Sequence, residues 1–393
     1  METKTQVKVL LLFTLFIYIY YLFHGLKFPI PELGDSFDYH IPIAKMILSG
    51  QIINPGHTPL GQWYYPGASN AFHALFIFLH IPLTLSNLLP TFLLGVCLFF
   101  LGRSFKLAAW LSMLFSLSVI SLTVFHRWGN AVSIDVWVAV YVASTLTLLK
   151  QARYTNWTYI WIGVLWGMLL GSKYLVGIYP VILFLGYGKE FLKQFSWKRA
   201  LSFFTPIIIL GGFWYMRNYV LTGNPFYPLS TFGFQGDGLF THTPSVWQTL
   251  LMYPVDFVNA LFSEYKLFSI GIVLLPVYML TRWKTVNPEL KRLFLVGFGC
   301  FLVFCLFPMD PISWVIVSSL RYSFTFTILF ILMLFLLAVS WKKEKELGYL
   351  ALLSAFPVLT MAYYPKLIIP VAFLFYLFAH FLELKLDKSD KIT

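Results

Sequence analysis

Charge is scarce in this chain. Only 11% of its 393 residues are Asp, Glu, Lys or Arg, against 59% hydrophobic residues, and the mean hydropathy is +0.76. So few ionic groups cannot keep a soluble domain of this length dispersed in water, so the solvent must be lipid. Cysteine is scarcer still. Cys97, Cys300 and Cys305 each fall inside an apolar run, which argues against a disulfide framework or a cysteine-based metal cluster. His40, His57, His73 and His80 lie in one early region, but their spacing matches no zinc signature. Low-complexity tracts and internal repeats are also lacking, and a missing inverted repeat counts against a secondary transporter. The apolar runs do not alternate, which excludes a membrane barrel.

What is present is a series of apolar runs near the roughly 20-residue length that crosses a hydrocarbon core. The pattern predicts an all-α, polytopic transmembrane bundle with spans near 9–26, 88–102, 107–125, 133–149, 157–171, 174–187, 200–216, 266–281, 293–308, 322–340, 347–362 and 367–382. That is twelve, with 11 and 13 the neighbouring counts. The first run is too long for a signal peptide and lacks a small-residue cleavage site, so it reads as an anchor. The apolar stretch 68–82 is short, and counting it as a crossing would reverse the charge bias of every later loop; it reads as juxtamembrane or re-entrant.

The formal charge of +12 follows membrane orientation rather than nucleic acid. With both termini cytoplasmic, twenty of the 28 Lys and Arg face the cytoplasm and eight do not, as the positive-inside tendency requires. Residues 1–393 then form a single domain with long external loops near 27–87 and 217–265 and no separate soluble domain. Those loops are rich in Trp, Tyr, Phe, Pro and Gly, so they read as ordered and functional, with juxtamembrane helices in the first.

Chemistry-bearing residues gather at the external ends of spans. Gly34-Asp35-Ser36-Phe37-Asp38-Tyr39-His40 follows the first span; on an α-helix Asp35, Asp38 and Tyr39 share a face, where a carboxylate beside a phenol and an imidazole can act as a general base. Asp35 or Ser36 can equally cap a helix. In His126-Arg127-Trp128-Gly129-Asn130, and on to Asp135, the acid opens a span and either complements the helix dipole, orients an acceptor or holds a divalent cation such as Mg or Mn; Arg127 can meet a phosphate. No other cofactor is called for. Arg217 with Asn218 ends a span on the external side, where a lipid-linked phosphate is a natural partner and snorkelling to headgroups the alternative. Lys173 and the pair Arg321-Tyr322 are further external groups that can add to a phosphate site or anchor to headgroups.

With these islands in place, the sequence resembles the C-type superfamily of membrane glycosyltransferases (GT-C), particularly the branch of protein mannosyltransferases and lipid A aminoarabinose transferases. Asp35-Ser36-Phe37-Asp38-Tyr39-His40-Ile41-Pro42 with Gly50 looks like the family's first external loop, followed by Tyr64-Tyr65-Pro66-Gly67. Asp135 takes the place of the second-loop acid, and Gly171-Ser172-Lys173-Tyr174, Trp214 to Tyr219 with Gly223-Asn224-Pro225, and Arg321-Tyr322 look like recurrent elements.

The resemblance implies a dolichyl- or undecaprenyl-phosphate sugar made on the cytoplasmic side and flipped outward. It further implies a lipid, glycan or protein acceptor and Asp35 as the base; from the residues themselves Asp38 and Asp135 are further candidate acids, and Tyr39, His40, Arg127, Lys173, Arg217, Asn218, Arg321 and Tyr322 are candidate substrate contacts. The expected setting is a prokaryotic cell membrane with the site on its external face. Where the mannosyltransferase branch often has two adjacent acids, this chain separates Asp35 from Asp38, and it lacks the Trp-Trp-Asp signature of protein N-glycosylation. A sugar phosphate already carries a good leaving group, so one base and a few cations suffice, and inversion in one displacement follows. The competing class is a multi-span transporter or lipid-linked sugar flippase, which would place its ionisable residues near the bilayer midplane.

Overall fold

The computed structural model describes residues 34–56, 61–129, 131–237, 243–309 and 313–355, together with scattered positions between Leu10 and Leu26. The expected span at 367–382 and the second half of that at 347–362 lie outside these residues. Among the described residues all regular structure is helical, and the only pairings of strand type are isolated bridges between Thr231 and Phe234 and between Ser245 and Pro308.

Three helical runs, Leu83–Ser104, Trp197–Thr222 and Val315–Ser340, are long and apolar enough to cross a membrane. At 1.5 Å per residue the shortest, of 22 residues, reaches about 33 Å, enough for the hydrocarbon core. The pair Pro254–Tyr265 and Phe268–Thr281, bent by 116°, is a broken span or a re-entrant loop. Length and composition therefore support three or four of the twelve expected crossings. Ala109–Ile120, Asp135–Leu149 and Leu175–Tyr187 are apolar but shorter. The stretch 68–82 contains the nine-residue helix Asn70–Phe78, too short to cross, with Asn70, His73 and Ala74 buried against the bundle.

Two helices form the centre. In Asp135–Leu149 and Phe324–Ser340 the buried residues run right around the helix, the signature of an element enclosed by others rather than amphipathic at a surface. Stacked rings, Phe125 on Phe324 at 4.0 Å between centroids, and the edge contact of Phe115 with Phe335 fill the space around the second. By contrast Trp197–Thr222 is peripheral, with Leu201, Ile208, Ile209, Met216 and Val220 exposed. Each central helix has an ionic residue at one end: Asp135 is the first residue of one, and Arg321 lies in the 3₁₀ turn Leu320–Ser323 that leads into the other.

A glycine ladder sets the position of a third element. Helix Asn156–Leu170 opens with a reciprocal Thr155/Thr158 capping box and carries Gly163 and Gly167, with Gly171 just past its end. A Cβ on Gly167 would stand 2.7 Å from the Pro206 carbonyl oxygen, and Cβ atoms on Gly163 and Gly171 would strike the carbonyls of Phe203 and Leu210. Only glycine at this four-residue spacing lets the helix lie directly on the 197–212 backbone, the close approach that small residues permit between membrane helices. The end of the helix, with Ser172 and Lys173, is thereby fixed against the rest of the bundle.

Candidate functional site: a buried charge cluster beside an aromatic cavity

The first loop is stapled to the segment that precedes Asp135. Ser36 donates its hydroxyl to the Val132 carbonyl at 3.1 Å, His40 Nδ1 bonds Asn70 Oδ1 at 2.9 Å, and His73 bridges Ser86 Oγ at 2.9 Å and the Ser133 carbonyl at 3.2 Å. On the other side the Ala68 N–H donates to the Gly171 carbonyl at 2.7 Å and Ser69 Oγ meets Ser172 Oγ at 2.6 Å. These contacts bring residues from four distant parts of the chain to one place.

There Arg321 is shared by two acids. Its Nη2 pairs with Asp35 Oδ2, and its Nε lies 3.3 Å from Asp135 Oδ2. Lys173 Nζ completes the cluster at 2.5 Å from Asp135 Oδ1. Two carboxylates and two cations thus alternate, so the charges are mutually compensated, as buried charges must be. Aromatic faces enclose them: the Arg321 guanidinium lies 4.2 Å from the Trp128 ring centre and 4.8 Å from that of Tyr322, and Lys173 Nζ lies 4.6 Å from the Tyr322 ring. Tyr322 also accepts a hydrogen bond from Arg321 at 2.8 Å.

Access separates the two acids. Asp135 is 5% exposed at its side chain and faces, with Arg321, a space of about 10 Å³, which holds at most one water. Asp35 keeps 35% of its side chain open. Burial would raise the Asp35 carboxyl, but the charges of Arg321, of His40 once it protonates, and of Lys173 outweigh it and hold the group below its ordinary value. Burial, then Lys173, pushes His40 down to about 4, so it is neutral near pH 7. Burial and the Asp35 charge push the Tyr39 phenol well up, so it remains a donor.

Beside the cluster is a cavity of about 340 Å³, within the range of small-molecule sites. Lys173, Tyr39, Tyr65, Tyr174, Phe307 and Tyr322 supply its cationic and aromatic walls; Ser172, Thr243, Ser245 and Gln248 add polar groups. Among the described residues the Tyr65 hydroxyl is buried without a hydrogen-bond partner.

The structure brings together Asp35, Tyr39, His40, Asp135, Lys173, Arg321 and Tyr322, and leaves out others expected with them. Asp38 is exposed, because residues 36–40 form a π turn rather than an α-helical one; the wider turn rotates Asp38 off the face that Asp35 and Tyr39 share. Arg217 takes partners other than a phosphate. It donates to the carbonyls of Ile52 at 3.2 Å and Tyr64 at 2.7 Å and to Asn218 Oδ1 at 3.0 and 2.7 Å, while Asn218 donates to the Tyr64 and Tyr227 carbonyls and to the Tyr174 hydroxyl. Neither borders the cavity, so both act as a clamp on loop backbone. Arg127 lies on helix Thr123–Gly129, and its side chain is outside the described ones. Among the described residues no group of three or more His, Cys, Asp or Glu comes together as a metal site; Lys173 bonds Asp135 Oδ1, and Asp135 Oδ2 lies 3.3 Å from Arg321 Nε with no hydrogen-bond partner.

Sequence reading passed over Trp128, Tyr65 and Gln248. Trp128 and Tyr65 sit inside motifs read for their charged or turn-forming neighbours. Gln248 was legible through Ser245-Val246-Trp247-Gln248, a capping-box pattern that the structure forms.

Fold and site together define a helical integral membrane protein with a compensated charge cluster beside an aromatic cavity. The chain is similar in fold to the crystal structure of ArnT from Cupriavidus metallidurans in the apo state, with a TM-score of 0.56 over 91% of this chain at 14% identity. The chain spans 65% of that protein's length. No family model and no curated protein matches the sequence.

Proposed function

We propose that the protein is an inverting glycosyltransferase of the GT-C type, moving a sugar from a polyprenyl-phosphate donor to an acceptor at the external membrane face. The observation that carries this reading is the division of labour in the cluster: one accessible carboxylate, Asp35, among groups that otherwise neutralise one another, next to a cavity edged by Lys173. The fold likeness to ArnT, an aminoarabinose transferase, supports it.

Asp35 takes the proton of the acceptor hydroxyl as that oxygen attacks the anomeric carbon. The bond to the donor phosphate breaks on the opposite face, and the electron pair leaves with the phosphate. Lys173 and Arg321 meet the charge that grows there, which is where preorganised cations lower a barrier most. For Asp35 to act, Arg321 must loosen its hold on it, and an arriving anionic phosphate competes for that guanidinium. Asp135 touches no substrate; it positions both cations.

Asp135 and Arg321 are closed in, whereas Lys173 opens on the cavity and Asp35 is the most accessible of the four, an arrangement that suits a reaction at one site rather than a carrier's path. The test uses sealed vesicles of both orientations containing the protein, given radiolabelled polyprenyl-phosphate sugars and membrane extracts as acceptors. Transfer is expected when the donor reaches the external face. Absence of transfer from every donor on both faces, or transfer only from the cytoplasmic face, contradicts the proposal.

A further inference from the structure

Arg321 and Tyr322 sit on the four-residue 3₁₀ turn Leu320–Ser323, and one side chain grips the residues on both sides of the pair. Tyr265 donates its hydroxyl to the Leu320 carbonyl at 3.1 Å and also bonds Ser323 Oγ, while Ser323 Oγ donates to the same carbonyl. Tyr265, Leu320 and Ser323 are all fully buried. The Leu320 carbonyl shares a planar peptide unit with the Arg321 nitrogen, so holding that oxygen fixes the plane from which Arg321 departs. Internal hydrogen bonds are poorer in a 3₁₀ turn than in an α-helix, so its geometry depends the more on such outside contacts.

Tyr265 is itself set by the corner of the bent helix pair. It ends helix Pro254–Tyr265, and Lys266 after it has φ 53° and ψ −133°, a backbone region that residues with a Cβ rarely adopt. Ser269 Oγ donates across the corner to the Leu261 carbonyl at 2.8 Å. Backbone of this kind persists only where its surroundings enforce it. Farther back along the same segment, the Val246 N–H donates to the Phe307 carbonyl at 2.8 Å, and Phe307 stacks on Tyr322 with 4.6 Å between ring centres. Residues 246–265 therefore hold the Arg321-Tyr322 pair by its backbone and by one of its rings.

We propose that Tyr265 is a positioning residue for the transfer reaction, holding the Arg321 guanidinium between Asp35 and Asp135 through the Leu320–Ser323 turn. The reaction it serves rests on the glycosyltransferase reading; the placement of Arg321 does not. Fully buried, Tyr265 acts through Arg321 and not on a substrate. With the turn pinned, the long Arg321 side chain can exchange Asp35 for a donor phosphate while its backbone stays in place and its Nε stays beside Asp135. A guanidinium on an unpinned turn would meet the phosphate in many positions, of which few are productive.

Tyr265→Phe removes the hydroxyl and keeps the ring. The readout is the titration of Asp35, followed in the purified protein by the infrared carboxyl band of carbon-13-labelled aspartate and assigned by its loss in Asp35→Asn. The groups that face Asp35 are Arg321 on the turn, Lys173, His40 and Tyr39 on its own segment, and Tyr65 on the loop beyond; the substitution alters only the hold on Arg321. Arg321 lowers the Asp35 carboxyl against burial, so a looser guanidinium lets it rise. In Tyr265→Phe the Asp35 midpoint is expected to move up by about half a pH unit or more. The same substitution should add no further rise in an Arg321→Gln background, since the two act through one contact. Transfer by Tyr265→Phe should fall about tenfold in kcat, with a smaller change in KM. Ser323→Ala, which removes the other anchor of the turn, should move the midpoint in the same direction. A phenol that only fills the core would lower the unfolding temperature and leave the midpoint where it was. An unmoved midpoint in both variants, or a rise that persists in full without Arg321, would overturn the inference, and an unchanged kcat would remove Tyr265 from the reaction. A midpoint that moves as expected in a protein that transfers no sugar would sink the glycosyltransferase reading alone and leave Tyr265 as the residue that sets Arg321.

Discussion

Arg321 lies between two carboxylates with different fates, hydrogen-bonded to Asp35 and within ion-pair distance of Asp135. It holds Asp35 in the ionised form against burial, which on its own would favour the neutral acid. The sign follows directly: a carboxyl lowered below its ordinary value is a competent base at any pH above that lowered value, so its acid limb in kcat/KM lies at low pH. Without the guanidinium, burial regains the upper hand and the carboxyl rises. Arg321→Gln should therefore move the acid limb of the pH–rate profile to higher pH, besides lowering transfer at every pH through the lost phosphate contact. A limb that does not move would show that Arg321 leaves the charge on Asp35 unaltered. His40 does not confuse the reading at neutral pH, because burial keeps it uncharged above about 4.

At the scale of elements, the site depends on two devices that bear no catalytic group. The Gly163, Gly167 and Gly171 ladder sets the approach of one helix to the 197–212 backbone, and the Arg217–Asn218 clamp ties the first loop to the helix Phe213–Thr222. Gly167→Leu should lower stability by roughly 1–3 kcal/mol by forcing the helices apart. Arg217→Ala strips its partner from the Ile52 carbonyl and one of two partners from the Tyr64 carbonyl, and should cost roughly 1.5–3 kcal/mol, because hydrogen bonds from a charged donor are stronger than neutral ones. Arg217→Lys should recover little of this, since an ammonium cannot reproduce the planar fork. Thermal unfolding in detergent measures all three. If Arg217→Ala unfolds like the wild type and instead raises the donor KM, the clamp assignment is wrong and a phosphate contact stands in its place.

For the whole molecule, what was legible in the sequence was the cost of charge near lipid. Asp135, Lys173 and Arg321 could be singled out because an ionisable residue at the end of an apolar run needs a partner. Which partner was not legible: Asp35 and Arg321 are 286 residues apart in sequence, and they meet through the docking of the first loop on the segment before Asp135 together with the packing of the two central helices. Nor did the rule show the partners that Arg217 has here, the Asn218 side chain and the carbonyls of Ile52 and Tyr64, the last two being groups that every residue carries and no motif records. Periodicity misled at Asp38, because a π turn leaves no trace in an apolar pattern. The helical class followed from composition, while the number of crossings rests on hydropathy and charge beyond the three or four runs that length and composition support.

The central claim is that Asp35 is the base of a glycosyl transfer, and the direct test is the transfer rate of Asp35→Asn with donor binding measured on the same preparation. Asparagine keeps the shape of the side chain and caps a helix as well as aspartate does, but it cannot take a proton. The account predicts transfer lowered by roughly two to four orders of magnitude, with donor affinity and thermal stability near those of the wild type. Near-wild-type transfer by Asp35→Asn would contradict it.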